Sequence, residues 1–164
     1  MQSLELKIPP PLVALVIGAA MWLVAGVGPT LELPFAVRLV AFVAIALCGG
    51  GVALAGRNEF KRARTTLNPL RPDKASALVT SGVYRYTRNP MYVGLALVVA
   101  GWAAFLCSAL ALLGPPDFVL YITRFQIVPE ERILSDRFGA AYAAYRARVG
   151  RWLPVSRRER AGGT

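Results

Sequence analysis

Gly82-Val-Tyr-Arg-Tyr-Thr-Arg-Asn-Pro-Met-Tyr-Val-Gly94 and Pro129-Glu-Glu-Arg-Ile-Leu-Ser-Asp-Arg-Phe-Gly-Ala-Ala-Tyr-Ala-Ala-Tyr145 decide how this chain folds. From Val93 to Val128, between their polar parts, Asp117 and Arg124 are the only charged residues. An apolar hairpin therefore joins two clusters rich in aromatic and charged side chains. A hairpin through a bilayer returns the chain to the side it left, so the clusters are expected to meet at one membrane face.

Working outward, the whole chain favours a membrane as solvent. Of its 164 residues 55% are hydrophobic, and the charges fall in blocks; mean hydropathy is +0.48. Four apolar runs stand out: Pro9 to Val27, Phe35 to Ala55, Met91 to Leu106 and Ser108 to Val128. A spanning helix needs roughly 17 to 25 residues to cross a hydrocarbon core about 30 Å thick. The first, second and fourth runs are long enough, and the third is short. A turn at Gly114-Pro115-Pro116 would lengthen the third but leave only Asp117 to Val128 to return, so the turn is placed near Cys107-Ser108. Gly114-Pro115-Pro116 is then expected to bend or start a helical segment. The expected fold is all-α: a polytopic integral membrane protein of four transmembrane helices plus a C-terminal interfacial amphipathic helix. Residues 1–56 read as a two-span scaffold, and residues 57–164 as the functional core.

The basic residues set orientation. Eight of the 19 Lys and Arg lie between Arg57 and Pro90, and eight more follow Glu131, whereas Gly28 to Pro34 and Cys107-Ser108 hold none. Positive loops stay cytoplasmic, so both termini and both clusters are expected there. The net charge of +10 is assigned to anionic headgroups rather than to nucleic acid, because the basic residues flank the spans. Pro29 and the weakly basic start argue against a cleaved leader. With no histidine and two cysteines in apolar runs, no metal site is expected, and Cys48 and Cys107 read as packing residues.

Smaller features fill in the plan. Gly49-Gly50-Gly51 permits close helix contact, and Arg38 is expected to snorkel outward. Asn68-Pro69 and Arg71-Pro72-Asp73 are turn signals, and Ala75 to Val79 is expected to return to the membrane face. After Pro129 a helix should carry Phe138, Tyr142, Tyr145 and Val149 on one stripe, with Arg137, Arg146 and Arg148 off it, resting at the interface. Trp152-Leu153-Pro154 should anchor its end, and Arg157 to Thr164 should be disordered.

Taken singly, the two clusters have ordinary explanations. Arg85 and Arg88 suit basic anchors beside a span, Tyr84, Tyr86 and Tyr92 interfacial aromatics, Pro90 a helix-start proline and Gly94 a packing glycine. A helix beginning at Pro129 would favour Glu130 and Glu131 in its first turn. That account leaves unexplained why a second polar cluster lies at the same face.

Taken together, Tyr84, Arg88, Pro90, Tyr92 and Gly94, then Glu130-Glu131, Leu134, Phe138-Gly139, Tyr142 and Tyr145, resemble the isoprenylcysteine carboxyl methyltransferase family, which includes related phospholipid N-methyltransferases. The resemblance covers roughly Thr65 to Leu153. It implies a small polytopic enzyme that uses S-adenosylmethionine, with a site built from these motifs. The chain departs from the family's Arg-His-Pro-x-Tyr-x-Gly pattern at Asn89, which keeps hydrogen-bonding capacity but cannot serve as a base near neutral pH.

Methyl transfer from a sulfonium chiefly requires alignment and exclusion of water. A carboxylate acceptor needs little acid-base help, whereas an amine must first lose a proton. Within the resemblance, Arg88 and Glu131 are the candidate catalytic residues. Tyr84, Arg88, Asn89, Pro90, Tyr92, Gly94, Glu130, Glu131 and Tyr142 are the candidate S-adenosylmethionine-binding set. Arg88 suits a carboxylate, Glu130 and Glu131 an ammonium or ribose hydroxyls, Tyr92 and Tyr142 aromatic walls, and Asn89 an amide contact. Arg124 is expected to face the same cavity. The acceptor is expected to be a lipid or lipidated small molecule arriving from the bilayer, foremost a prenylcysteine-like carboxylate. The alternatives are a phospholipid headgroup amine, a non-catalytic membrane subunit and a nicotinamide-dependent membrane reductase.

Overall fold

The computed structural model describes residues 5–63 and 77–154. The turn signals at Asn68-Pro69 and Arg71-Pro72-Asp73 and the tail from Arg157 lie outside them, as do Ala75 and Lys74. Among the described residues the fold is all-helical, without a strand. Its elements are α1 (Pro10–Ala25), α2 (Phe35–Arg62), α3 (Pro90–Leu106), α4 (Gly114–Ile122) and α5 (Val128–Arg148), with 3-10 turns at Gly82–Arg85 and Ala111–Leu113.

Prolines mark the helix starts, because a first-turn residue needs no N–H and proline's φ is already helical. α1 begins at Pro10, α3 at Pro90, and Pro115-Pro116 sit in the first turn of α4. α3 ends where expected: Cys107 adopts a left-handed φ of 49° and turns the chain. Leu31 N–H then donates to the Cys107 carbonyl at 2.8 Å and Ala109 N–H to the Pro29 carbonyl at 3.1 Å, tying the α1–α2 and α3–α4 connections together at one end. The two polar clusters lie at the other.

α2 packs along α3, and the closest approach is set by a pair of glycines. A Cβ on Gly49 would stand 2.5 Å from the Gly94 carbonyl, and one on Gly94 would run into the Gly49 carbonyl and Ala53. Gly50 and Gly51 face open space, so one glycine of the three carries the contact. α1 lies against α3 and α4 around a core of Val13, Met21, Val99, Ala103, Phe118 and Ile122.

α2 is the one helix among the described residues long and apolar enough to cross a membrane alone, with little of it buried in protein. α1 and α3, of 16 and 17 residues, rise about 24 and 26 Å at about 1.5 Å per residue. The fourth apolar run, expected as one span, divides into a 3-10 turn, α4 and a π-helical turn, Thr123–Ile127.

That π turn corrects two expectations. Pro129 cannot donate to the Phe125 carbonyl, and the helix widens just ahead of it. The freed carbonyl accepts instead from Leu6 N–H at 3.0 Å, and the Gln126 side-chain amide donates to the Ile8 carbonyl at 2.7 Å. α5 thus continues from α4, and Glu130-Glu131 do not sit at a free helix N-terminus. Arg124 does not face the site cavity; it turns outward, where it and Arg132 pair with Glu5 at 2.7 and 3.1 Å. Arg38, near the start of α2, reaches the last turn of α3, its Nε donating to the Phe105 carbonyl.

Within α5, Gly139 breaks the helical path at φ 49°, ψ −123°, a conformation that suits glycine. Beyond it the stripe falls as expected, yet faces protein: Tyr142, Tyr145 and Val149 are buried with Leu78, Leu134 and Phe138.

Candidate active site

Three segments converge at the polar end. The first is the turn into α3. Asn89 precedes proline, which disfavours helical backbone there, and its φ −132°, ψ 54° let α3 start afresh at Pro90. The second is the first and last thirds of α5. The third is the non-helical piece that follows α5, where Val149 is extended and residues 151–153 bend. There the Gly150 carbonyl accepts from Arg88 N–H at 3.0 Å. The Arg151 carbonyl accepts from the Asn89 amide at 3.0 Å and from the Thr87 hydroxyl at 3.1 Å, and Trp152 Nε1 donates to Thr123 Oγ1 at 3.0 Å.

Arg88, Glu131 and Arg151 form an ion network at the centre. Arg88 Nη1 lies 2.9 Å from Glu131 Oε1. Arg151 grips the same carboxylate with two prongs, Nε to Oε1 at 2.9 Å and Nη2 to Oε2 at 2.6 Å, a geometry that matches a planar guanidinium to a planar acid. Arg88 Nη1 also donates to the Tyr142 hydroxyl at 3.2 Å. The side chains of Arg88 and Glu131 are each 10% exposed, and Arg88 Nε is buried without a hydrogen-bond partner among the described residues. Burial raises the Glu131 carboxyl, but the Arg151 hydrogen bond and the charges of Arg88, Arg151 and Arg146 outweigh it and hold it below the ordinary carboxylate range. Burial likewise raises the Tyr142 hydroxyl. Arg146 lies over the Tyr142 ring, 5.9 Å from its centre.

The neighbouring carboxyl behaves oppositely. Glu130 accepts a short hydrogen bond from the Tyr92 hydroxyl. Burial, followed by repulsion from Glu131, outweighs that bond and raises Glu130 to about 8. Adjacent acids are thus driven apart, one kept ionised by arginines and the other ready to hold a proton near neutrality.

Of the residues singled out in the sequence, Arg88, Asn89, Tyr92, Glu130, Glu131 and Tyr142 come together. Tyr84 stands behind them, buried edge-on against Phe60 at 5.4 Å, with its carbonyl accepting from the Tyr145 hydroxyl at 2.8 Å. Pro90 is buried against Gly56 of α2, and Gly94 lies in the α2–α3 contact. Sequence reasoning missed Arg151, whose neighbours Gly150 and Trp152 were the only hint. It also missed Glu59, a buried acid near the end of α2 that accepts from Ser81 and pairs with Arg62 at 3.0 Å.

An open apolar cavity of about 690 Å³ lies between α1, α2 and α3, with Ala14, Gly18, Trp22, Phe42, Val99 and Trp102 among its walls. Tyr92, Leu95, Val99 and Trp102 follow one another at spacings of three, four and three, so one face of α3 runs from Glu130's partner down the cavity wall.

Residues 37–141 match the family model described as phospholipid methyltransferase. The chain is 43% identical over 63 residues to an uncharacterized protein of Haemophilus influenzae, covering 38% of this chain and 100% of that one. It is 32% identical over 96 residues to protein-S-isoprenylcysteine O-methyltransferase B of Arabidopsis thaliana, covering 57% and 47%. It is 39% identical over 75 residues to methanethiol S-methyltransferase 1 of Bradyrhizobium diazoefficiens, covering 46% and 25%. The matches thus span half or less of these two named enzymes. No solved structure matches the chain.

Proposed function

Because this chain belongs to the phospholipid methyltransferase family, we propose that it is a membrane-embedded enzyme that methylates a lipidic or otherwise hydrophobic acceptor with S-adenosylmethionine. The observation that carries this reading is the Arg88–Glu131–Arg151 network, which draws together both opening motifs and leaves Arg88 Nε buried and unpaired among the described residues.

The residues fit the donor. An orphaned guanidinium N–H inside a nine-tenths buried side chain is a ready partner for a carboxylate, and desolvation strengthens such a bond. Arg88 would hold the donor's carboxylate, Glu131 keeps Arg88 oriented and offers negative charge toward its ammonium, and Tyr92 and Tyr142 supply aromatic surface. When bound, the donor supplies an activated methyl group whose departure leaves a neutral thioether. The protein's share is to hold, align and keep water out. Asn89 acts through its clasp on the Arg151 carbonyl, Pro90 and Gly94 through the seating of α3, and Tyr84 through its hold on Tyr145.

We read the chain as four passes, with both termini and the site on the cytoplasmic side. The joining of the two connections at the end opposite the site supports this, as do the exposed Leu15, Trp22, Leu23, Val40, Leu47 and Leu54 on α1 and α2. The far end of α5 would rest at the interface through its exposed arginines. Residues 1–56 serve as scaffold and 57–164 carry the chemistry. The named relatives, one for an isoprenylcysteine and one for methanethiol, support an acceptor with an apolar body, for which the cavity between α1, α2 and α3 offers a wall.

Isothermal titration of S-adenosylmethionine into the protein in lipid nanodiscs tests the reading. Saturable binding that weakens at least tenfold in Arg88→Ala is expected. A folded wild-type protein that does not bind the donor overturns it.

A further inference from the structure

We propose that the open groove between α1, α2 and α3 holds a resident anionic phospholipid, its phosphate on Arg38 at the end opposite the candidate active site and one acyl chain lying in the groove. This lipid is a structural ligand and not the methyl acceptor, because its head lies at the far end of α3 from Arg88.

Four observations carry it. First, Arg38 places a charge in the first turn of α2, beside the exposed Phe35, Val37, Leu39 and Val40. No acid pairs with it among the described residues, and Glu32, the nearest acid in the sequence, is exposed on the α1–α2 connection. An unpaired cation at the edge of an apolar span is costly and marks a ligand position. Second, the guanidinium is already fixed. Its Nε donates to the Phe105 carbonyl and its Cζ lies 4.9 Å from the centre of the Phe105 ring, while Nη1 and Nη2 carry no hydrogen bond among the described residues and are not buried. A planar guanidinium with free N–H groups suits the oxygens of a phosphate.

Third, Arg38 stands at the mouth of the groove. The Phe105 ring beneath it stacks on Trp102 at 5.2 Å, and Phe42, one turn along α2, meets both rings. Phe42 and Trp102 line the groove, which follows α1 from Trp22 back to Pro11, about 16 Å at about 1.5 Å per residue. Fourth, the helices leave this space unfilled. α1 packs on α3 and α4, and α2 packs on α3, so a cavity of about 690 Å³ with apolar walls is left between them. A fixed cation at the mouth and a hydrocarbon-lined cleft behind it complement one amphiphile, with a phosphate at its head and an acyl chain behind. Free phosphate would use the first feature alone, and a neutral hydrocarbon the second. The lipid chain enters from the Trp102 end, whereas an acceptor would come in at the Leu95 end, nearest Tyr92.

The test uses the full chain in detergent micelles and follows tryptophan quenching by brominated phosphatidylglycerol and brominated phosphatidylcholine of equal chain length, since Trp22 and Trp102 both line the groove. Wild type is expected to bind phosphatidylglycerol saturably and about fivefold or more tighter than phosphatidylcholine. Arg38→Gln should erase that preference, and Arg38→Lys, which keeps the charge, should restore part of it. Arg57→Gln removes the same charge from the other end of α2 and should leave the affinity within about twofold. Ala19→Phe narrows the groove without touching Arg38 and should weaken both lipids by about threefold or more. Millimolar inorganic phosphate should not displace the lipid. Equal affinity for the two headgroups, or equal losses in Arg38→Gln and Arg57→Gln, overturns the inference. So does full displacement by phosphate, which makes Arg38 a bare anion site, and so does wild-type binding by Ala19→Phe, which puts the chain outside the groove. Should Arg38→Gln fail to fold, the headgroup preference, the phosphate competition and Ala19→Phe decide alone. The methyltransferase reading stands or falls separately, on donor binding.

Discussion

The side-chain amide of Asn89 donates to the backbone carbonyl of Arg151 at 3.0 Å, joining positions 62 apart. This bond clasps the turn into α3 against the piece that follows α5, and it sits at the one position where the chain departs from the Arg-His-Pro-x-Tyr-x-Gly pattern. An imidazole N–H can make the same donation, so what this position requires is a donor.

Asn89→His should therefore keep the clasp, with stability within about 1 kcal/mol of wild type. Asn89→Leu should lose about 1 to 2 kcal/mol, because the Arg151 carbonyl keeps only the Thr87 hydroxyl. Thermal unfolding in detergent compares the two.

Removing Glu131 should cost more than removing any exposed acid. In Glu131→Ala two arginines lose their shared anion while Arg88 stays mostly buried. Breaking a buried pair of this kind typically costs about 3 to 5 kcal/mol. Denaturant unfolding should show that loss, whereas Glu131→Ala paired with Arg88→Met should recover part of it.

The α2–α3 contact predicts a contrast within one glycine run. Gly49→Val must push α2 away from the Gly94 carbonyl and should cost about 1 to 3 kcal/mol or more. Gly51→Ala, with open space around it, should be neutral or stabilising through helix propensity. Yield of monodisperse protein and its melting temperature separate the outcomes.

The paired acids predict opposite pH responses. Glu131 lies below its ordinary value in the folded protein, so its contribution is complete above that value and is lost as pH falls through the folded one. Glu130 is raised from 4.5 to about 8, so between those limits the folded protein holds the extra proton and stability falls as pH rises. The slope from one group is at most about 1.4 kcal/mol per pH unit. Unfolding from pH 5 to 8 should show the decline in wild type and a flatter line in Glu130→Gln.

Hydropathy and loop charge were enough to foresee that the two opening stretches meet, because both follow from one-dimensional patterns. The turn at Cys107 was legible for the same reason. Arg151 was not: its importance comes from contacts 20 to 64 positions away, which no local period encodes. Arg124 was placed by the cost of burying an unpaired charge, and the partner that meets that cost, Glu5, lies 119 positions away, beyond the reach of any local pattern. The stripe Phe138, Tyr142, Tyr145 and Val149 was read correctly as a stripe, but apolar periodicity cannot tell a protein face from a lipid face.

The π turn at Thr123–Ile127 also fixes the spacing that the two opening motifs require. A π turn is geometrically a single-residue insertion, and each residue advances a helix by about 100° and about 1.5 Å. Deleting one residue from it would swing everything downstream by that angle, carrying Glu131 away from Arg88 and Glu130 away from Tyr92 while leaving every site residue present in the sequence. The turn therefore acts as a phase adjuster, and a chain carrying both motifs intact but one residue fewer between them would have the parts of this site without their alignment.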